Sequence, residues 1–430
     1  MLHPWLGIEA QPSCILSRFP NGCLAVLRAS MSSVAVDIEF AQRLPHILAA
    51  QKRIENLWAA GTDYRRDIVE DACLHNRMLH LDIDLTGECK LKCFYCDRTS
   101  DRYSDLPNRV ELHTAERLDL IAQAHALGAI TVEFPGAGEP MVDRDFWQIV
   151  ETVHRHGMTP VVFTSGYHLD GAGVERLFQL GATVFIKHNS QDVAVQDKMA
   201  GVRGYGAKSN AALQMLLERG FNQSIPTRVA IDAVVTPQFN ETEHFAEIGA
   251  LHRWCRLNNV HNYIVPLIPE GRADRSSMLI ERVCADRIND TIRKIDEQEF
   301  GLAYQPSRPM TGGYRCRQVN VGLFVNLFGE VYDCNGLGRF LGHIKCDSLR
   351  TIWNAKFARH IRSPEQDGFC LLRERVWDAV GSSGLERKLE FYRHFESIHG
   401  EDEVVKRGLM RATTVEESNA RSEGTMSGPS

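Results

Sequence analysis

From residue 78 to residue 268 the chain repeats one pattern six times, a short apolar run followed by a helix-length stretch of mixed polarity. The runs cover 79–85, 130–134, 160–163, 182–186, 229–235 and 263–268. The first, Leu-His-Leu-Asp-Ile-Asp-Leu, changes polarity at every residue, which is the period of a strand with one buried face. Six short strands separated by helices predict a parallel α/β sheet with right-handed crossovers, because parallel neighbours need a long connection that usually folds as a helix. Periodicity does not choose between an open sheet and a barrel. Upstream, residues 1–77 are mixed, and their clearest element is a helix over about 41–60, with Leu44, Ile47, Leu48, Ile54 and Leu57 at helical spacing. Downstream, a helix over about 278–298 leads into short β-like pieces carrying Gly322, Gly329, Gly336, Gly338 and Gly342. The expected layout is an N-terminal extension (1–77), an α/β unit (78–300), a small α+β domain (301–410) and a disordered tail (411–430) that lacks aromatics, Leu and Ile.

The 430 residues leave room for two or three domains, so core formation is not limited by size. Basic and acidic residues number 49 and 55, a balance that supplies no general attraction to nucleic acid or anionic lipid. No apolar run approaches the ~18 residues of a membrane span. The 12 cysteines first suggest a disulfide scaffold. That reading fails on size and on the N-terminus, where Pro4, Glu9 and Pro12 break any signal-like apolar stretch. A cytoplasmic protein is expected, in which closely spaced thiols mean metal or catalysis.

Such thiols follow the first strand directly, as Cys89-Lys90-Leu91-Lys92-Cys93-Phe94-Tyr95-Cys96. A loop with this spacing turns three soft donors to one side, suited to zinc or an iron-sulfur cluster. A structural zinc site wants four ligands, and no fourth Cys and no His lies nearby until His113. Three thiolates fit a 4Fe-4S cluster with one iron open to an outside ligand. The segment resembles the C-x3-C-x2-C signature of the radical S-adenosylmethionine (radical SAM) superfamily, including the aromatic Tyr95 before the third cysteine. The resemblance implies a partial (β/α)6 barrel, a catalytic cluster on Cys89, Cys93 and Cys96, and S-adenosylmethionine on the open iron, cleaved reductively to a 5′-deoxyadenosyl radical. It extends to Gly136-Ala137-Gly138-Glu139-Pro140 beyond the second strand, which is similar to the family's GGEP segment. There, small residues admit the ligand to the backbone and Glu139 accepts from the methionyl ammonium. Thr164-Ser165-Gly166 after the third strand, and Lys187, Asn189 and Ser190 after the fourth, stand at strand ends where ligands gather in such sheets. Ser165, Asn189 and Ser190 are the cofactor-binding candidates among them. Arg203 and Arg228 are candidates for the cofactor carboxylate, although an arginine is more often a surface residue.

The C-terminal pattern runs Cys316, a hairpin turning at Leu327-Phe328-Gly329, Cys334, Gly342-His343-Ile344, Ile352-Trp353 and Cys370. It resembles the SPASM and twitch extensions of radical SAM enzymes, which hold auxiliary iron-sulfur clusters. With one cysteine after the helix the twitch type fits better, with Cys316, Cys334 and Cys370 as ligands and Cys346, a carboxylate or an open iron in the fourth place. Cys346 has a second reading, as a hydrogen donor. Cys14, Cys23, Cys73, Cys255 and Cys284 lack such context and read as structural.

The function expected from this resemblance begins with abstraction of a hydrogen atom from an unactivated C–H bond. Residues 1–77 lack the pattern of a leader-peptide module, which points to a small polyhydroxylated substrate of sugar or aminocyclitol type, dehydrogenated or epimerised. A radical SAM maturase of ribosomally made peptides is the alternative, and a non-catalytic iron-sulfur or zinc scaffold is a third reading. The expected partners are the small substrate and an electron donor such as a flavodoxin or ferredoxin, with neither nucleic acid nor membrane.

Overall fold

A computed structural model describes residues 38–362, except 53–58, 63, 97, 99–102, 104–108, 237–245, 269–270, 274–281, 304–317 and 337, together with Arg393 and Glu396. Along the chain the elements are α1 (Ile38–Gln51), α2 (Arg66–Leu74), β1 (His80–Ile83), α3 (Thr114–Ala126), β2 (Thr131–Phe134), α4 (Phe146–Arg155) and β3 (Thr159–Thr164). There follow α5 (Gly171–Gln179), β4 (Thr183–Lys187), α6 (Val193–Ala200), α7 (Tyr205–Arg219), β5 (Val229–Val235), α8 (Ala246–Asn258) and β6 (His261–Pro266). The rest are α9 (Arg282–Lys294), α10 (Gln318–Val321), β7 (Gly322–Val325), β8 (Glu330–Tyr332), β9 (Phe340–His343), α11 (Leu349–Asn354) and α12 (Lys356–Arg362). Each of the six expected strands is present, with no end shifted by more than two residues, and the strand–helix alternation makes the chain α/β.

The elements divide between two compact units. One comprises Met1–Ile68, Thr159–Pro266 and Ile280–Tyr314. In it β3, β4, β5 and β6 pair side by side in parallel. Parallel strands flanked by helices are buried on both faces, and the Val- and Ile-rich β5 is buried at all positions. Phe163 stacks on Phe185 at 4.5 Å between centroids, and Tyr263 meets Phe185 edge-on at 5.3 Å. α1 contributes Leu44, Ile47 and Leu48 to a cluster with Leu257, Ile295, Phe300 and Leu302. Beside that cluster, Asp296 accepts from Arg256 and His252 at 2.7 Å each. Burial alone would raise its carboxyl, but the two partners outweigh burial and hold it below the usual carboxylate range.

The other unit comprises Val69–Met158, Leu267–Leu279 and Arg315–Ser430. Its strands run in the order β2, β1, β7, β8, β9; β1 is parallel to both neighbours, whereas β7, β8 and β9 are antiparallel. The hairpin expected in the C-terminal region is thus β7 and β8, turning at residues 327–329, and through β7 it continues the sheet of β1. Gly329, at φ +89, occupies the left-handed position this turn requires. Helix α11 docks on α3 where Gln123 accepts from the Leu349 N–H at 2.8 Å, and the Trp353 indole donates to the Asn76 carbonyl.

One expectation is corrected here. The alternation in 79–85 predicts a polar face in solvent, yet His80, Asp82 and Asp84 are each at most 1 % exposed. The period is that of a strand, but β1 is an inner strand of its sheet and all four of its residues are buried, so the polar face is interior as well as the apolar one. A polar face in such a place has to be bonded within the protein.

Candidate functional site

The chain leaves β1 through Asp84, and the Thr86 hydroxyl accepts from the Glu88 N–H at 3.0 Å to start the turn into the cysteine loop. Cys89, Cys93 and Cys96 are partly exposed, with the Cys96 N–H on the Cys93 carbonyl at 3.3 Å. Burial raises the Cys89 thiol, the neighbouring Glu139 and Cys93 add to the rise, and a hydrogen bond from the Leu91 backbone and the charge of Arg98 oppose it. A thiol of this kind loses its proton to a metal rather than to water. Arg272 clamps the loop from outside, its guanidinium donating to the Cys93 carbonyl at 3.1 Å and its N–H to the Cys96 carbonyl at 3.2 Å.

Residues 136–140 close against this loop. The Glu139 N–H donates to the Glu88 carbonyl at 2.8 Å, and a Cβ at Gly138 would stand 2.4 Å from that same oxygen. Gly136 takes φ +81, and a Cβ there would meet the Gly138 carbonyl at 2.4 Å. Two glycines are therefore obligatory, whereas Ala137 between them is accommodated at 4 % exposure. Pro140 opens a short 3-10 turn over Pro140–Val142. Three thiols in one loop, with the Glu139 carboxylate near Cys89, are a donor set whose chemistry fits a 4Fe-4S cluster and a cationic ligand next to it. Tyr95 packs edge-on against Phe94 at 5.3 Å.

The remaining barrel candidates belong to the other unit. Ser165 is buried at the end of β3, its hydroxyl accepting from the Tyr167 N–H at 3.2 Å. Asn189 accepts from the Val234 N–H at 2.9 Å and so ties the end of β4 to β5. The Ser190 hydroxyl bonds Glu247 and accepts from the Asp192 N–H. Lys187 pairs with Asp232 at 2.5 Å. Arg228 lies over the Phe178 and Phe221 rings and donates to the carbonyls of Phe178 and Ala182, so it serves the end of α5. Arg203 is exposed.

In the C-terminal region Cys334 directly follows Asp333 at the end of β8, half-buried, with its sulfur accepting from the Gly336 N–H at 3.1 Å. Cys346 is exposed in the turn after β9. Cys316 and Cys370 lie outside the described residues, as does the expected tail.

Sequence reasoning missed three features. Asp84 accepts the Ala137 N–H on Oδ1 at 2.9 Å and the Tyr103 hydroxyl on Oδ2 at 2.7 Å. Arg272, distant in sequence, grips the cysteine loop. His80, Asp82 and Glu133 hold donor atoms within 4.8 Å of one another, with His80 Nδ1 on Asp82 at 2.9 Å and the imidazole lying where Gly322 has no side chain. The available signal was the presence of acids in a parallel strand, where apolar residues are the rule.

Comparison with known proteins adds the family. Residues 83–248 match the radical SAM superfamily. The PqqA peptide cyclase of Granulibacter bethesdensis is 32 % identical over 320 residues, spanning 68 % of this chain and 80 % of that protein. Streptococcus suis SuiB bound to its precursor peptide SuiA superposes with a TM-score of 0.52 at 17 % identity, over 69 % of this chain and 70 % of SuiB. SuiB bound to S-adenosylmethionine gives a TM-score of 0.50 at 15 % identity, over 77 % and 72 %. These two likenesses establish the fold, the partial barrel expected from the motif. The expectation of a small polyhydroxylated substrate is overturned, because the relative at 32 % identity is named for action on a peptide. The error arose from treating a missing leader-binding pattern in residues 1–77 as informative. No helix among the described residues is long and apolar enough to cross a membrane. The cysteine loop and its small-residue partner turn are therefore no isolated coincidence: the chain belongs to the radical SAM superfamily, whose enzymes work with S-adenosylmethionine and a 4Fe-4S cluster.

Proposed function

We propose that this enzyme modifies a ribosomally made peptide, forming a bond within it. The observation that carries this reading is the 32 % identity to a peptide cyclase across 80 % of that protein. In this reading Cys89, Cys93 and Cys96 would hold the cluster and residues 136–140 would seat the methionyl end of S-adenosylmethionine, with Tyr95 beside the third cysteine. A 4Fe-4S cluster on these three cysteines would supply the electron for reductive cleavage of S-adenosylmethionine, the chemistry that would open a C–H bond of the peptide. Glu139 holds the methionyl ammonium by charge-assisted hydrogen bonds. A bond that replaces two bonds to hydrogen also releases a proton and one electron. An auxiliary cluster that Cys316, Cys334 and Cys370 would hold could accept that electron, with a flavodoxin or ferredoxin as the external reductant; in this sense the reaction would be an oxidation.

The test uses the anaerobically reconstituted full chain, a reductant, S-adenosylmethionine and a precursor peptide encoded beside the gene. The expected outcome is 5′-deoxyadenosine together with a peptide lighter by two hydrogens, both lost when Cys89, Cys93 and Cys96 are replaced by Ala. Deoxyadenosine formed by the Ala variant would overturn the cluster assignment, and an unmodified peptide at full cofactor turnover would overturn the substrate class.

A further inference from the structure

We propose that Asp84 is a positioning residue for S-adenosylmethionine, acting through the backbone of the 136–140 turn; this rests on the reading that the turn seats the cofactor. Asp84 stands one residue beyond β1 and five before Cys89, and it is 1 % exposed. Burying a carboxylate is costly unless its oxygens are bonded, so packing alone would favour an apolar residue there. Its two oxygens are divided. Oδ1 accepts from the Ala137 N–H at 2.9 Å, inside the turn, and Oδ2 accepts from the Tyr103 hydroxyl at 2.7 Å, in the segment that follows Cys96.

The consequence follows from peptide geometry. The bond between Gly136 and Ala137 is planar, with its carbonyl and N–H on opposite edges. Anchoring the Ala137 N–H on Asp84 directs the Gly136 carbonyl to the side away from Asp84. Gly136, at φ +81, and Gly138, whose Cβ would strike Glu88, are the residues with most backbone freedom, so this peptide unit needs an outside restraint. A second bond, from the Glu139 N–H to the Glu88 carbonyl at 2.8 Å, fixes the other end of the turn. Asp84 thereby presets a carbonyl acceptor for the ammonium group that Glu139 also meets. The Tyr103 hydroxyl holds the carboxylate in the rotamer that does this.

The experiment measures S-adenosylmethionine affinity and iron content of the reconstituted full chain for the wild type, Asp84→Ala, Asp84→Asn and Tyr103→Phe. Asp84→Ala should weaken binding about tenfold or more, the loss of one charge-assisted bond, at wild-type iron content. Asp84→Asn should recover most of the affinity, because the amide oxygen still accepts from Ala137. Tyr103→Phe should give an intermediate affinity, and it carries the test if Asp84→Ala does not fold. Wild-type affinity in both Asp84→Ala and Tyr103→Phe would overturn the proposal. So would iron lost in step with affinity, which marks a part of the cluster loop's fold rather than a positioning residue. A wild-type protein that takes up iron but binds no S-adenosylmethionine would instead overturn the underlying reading of residues 136–140.

Discussion

At the residue scale the site is built from atoms that are missing as much as from those present. Gly138 allows the backbone of the 136–140 turn to touch the carbonyl of Glu88, where any Cβ would stand 2.4 Å from that oxygen and 2.7 Å from the Gly87 carbonyl carbon. Both obstacles are backbone and cannot rotate away. Gly138→Ala is therefore expected to push the turn off the cysteine loop and reduce S-adenosylmethionine cleavage by at least about tenfold, since overpacking costs roughly 1–3 kcal/mol. Gly171→Ala is the control, because a Cβ there meets nothing within 4 Å. Equal deoxyadenosine rates in the two variants would refute the close-approach argument. The cysteines, the glycines and Glu139 were legible in the sequence because their chemistry is local to two short motifs. Asp84 was not, because its partners, Tyr103 and Ala137, are 19 and 53 residues away.

At the scale of elements, the β7–β8 hairpin is held to the segment ahead of α3 by a buried pair, Arg109 donating to Glu330 at 2.9 Å with both side chains under 10 % exposed. The Arg109 guanidinium also lies over the Phe328 ring at 4.7 Å. Asn326 and Tyr332 also donate to Glu330. Burial raises the Glu330 carboxyl even so, with Arg109, Asn326 and Tyr332 opposing the rise. Arg109→Ala should cost roughly 3–5 kcal/mol in urea unfolding at neutral pH, by stranding a buried carboxylate. With Arg109 gone the folded-state value moves higher still above the unfolded one, so little is lost at acidic pH, where both states are protonated. The deficit should then widen as pH rises from the wild-type folded value toward the variant's higher one, and a deficit that shrinks over that range would be evidence against the pair. The hairpin was legible from Gly329 and its flanking apolar residues. Its pairing with β1 was not, because Gly322 lies 242 residues from its partner His80 and strand edges carry no label of their neighbour.

At the scale of the whole molecule, the radical chemistry needs one cluster and the proposed oxidation of a peptide needs a second. Anaerobically reconstituted protein should bind about eight irons, for two four-iron clusters. A value near four would remove the auxiliary cluster and leave the released electron without the acceptor assigned to it. What the sequence by itself determined is the alternation of strands and helices, hence the α/β class, and the two motifs that define the family. Periodicity and short spacings are local properties, set within a few residues of one another. Only the tertiary structure decided that the polar face of β1 is interior, that Asp84 joins the 136–140 turn to the segment after the cysteines, and that Arg272 closes over the cysteine loop. Burial and hydrogen-bond partners are properties of what packs against a residue, and in each of these cases the partner comes from another part of the chain.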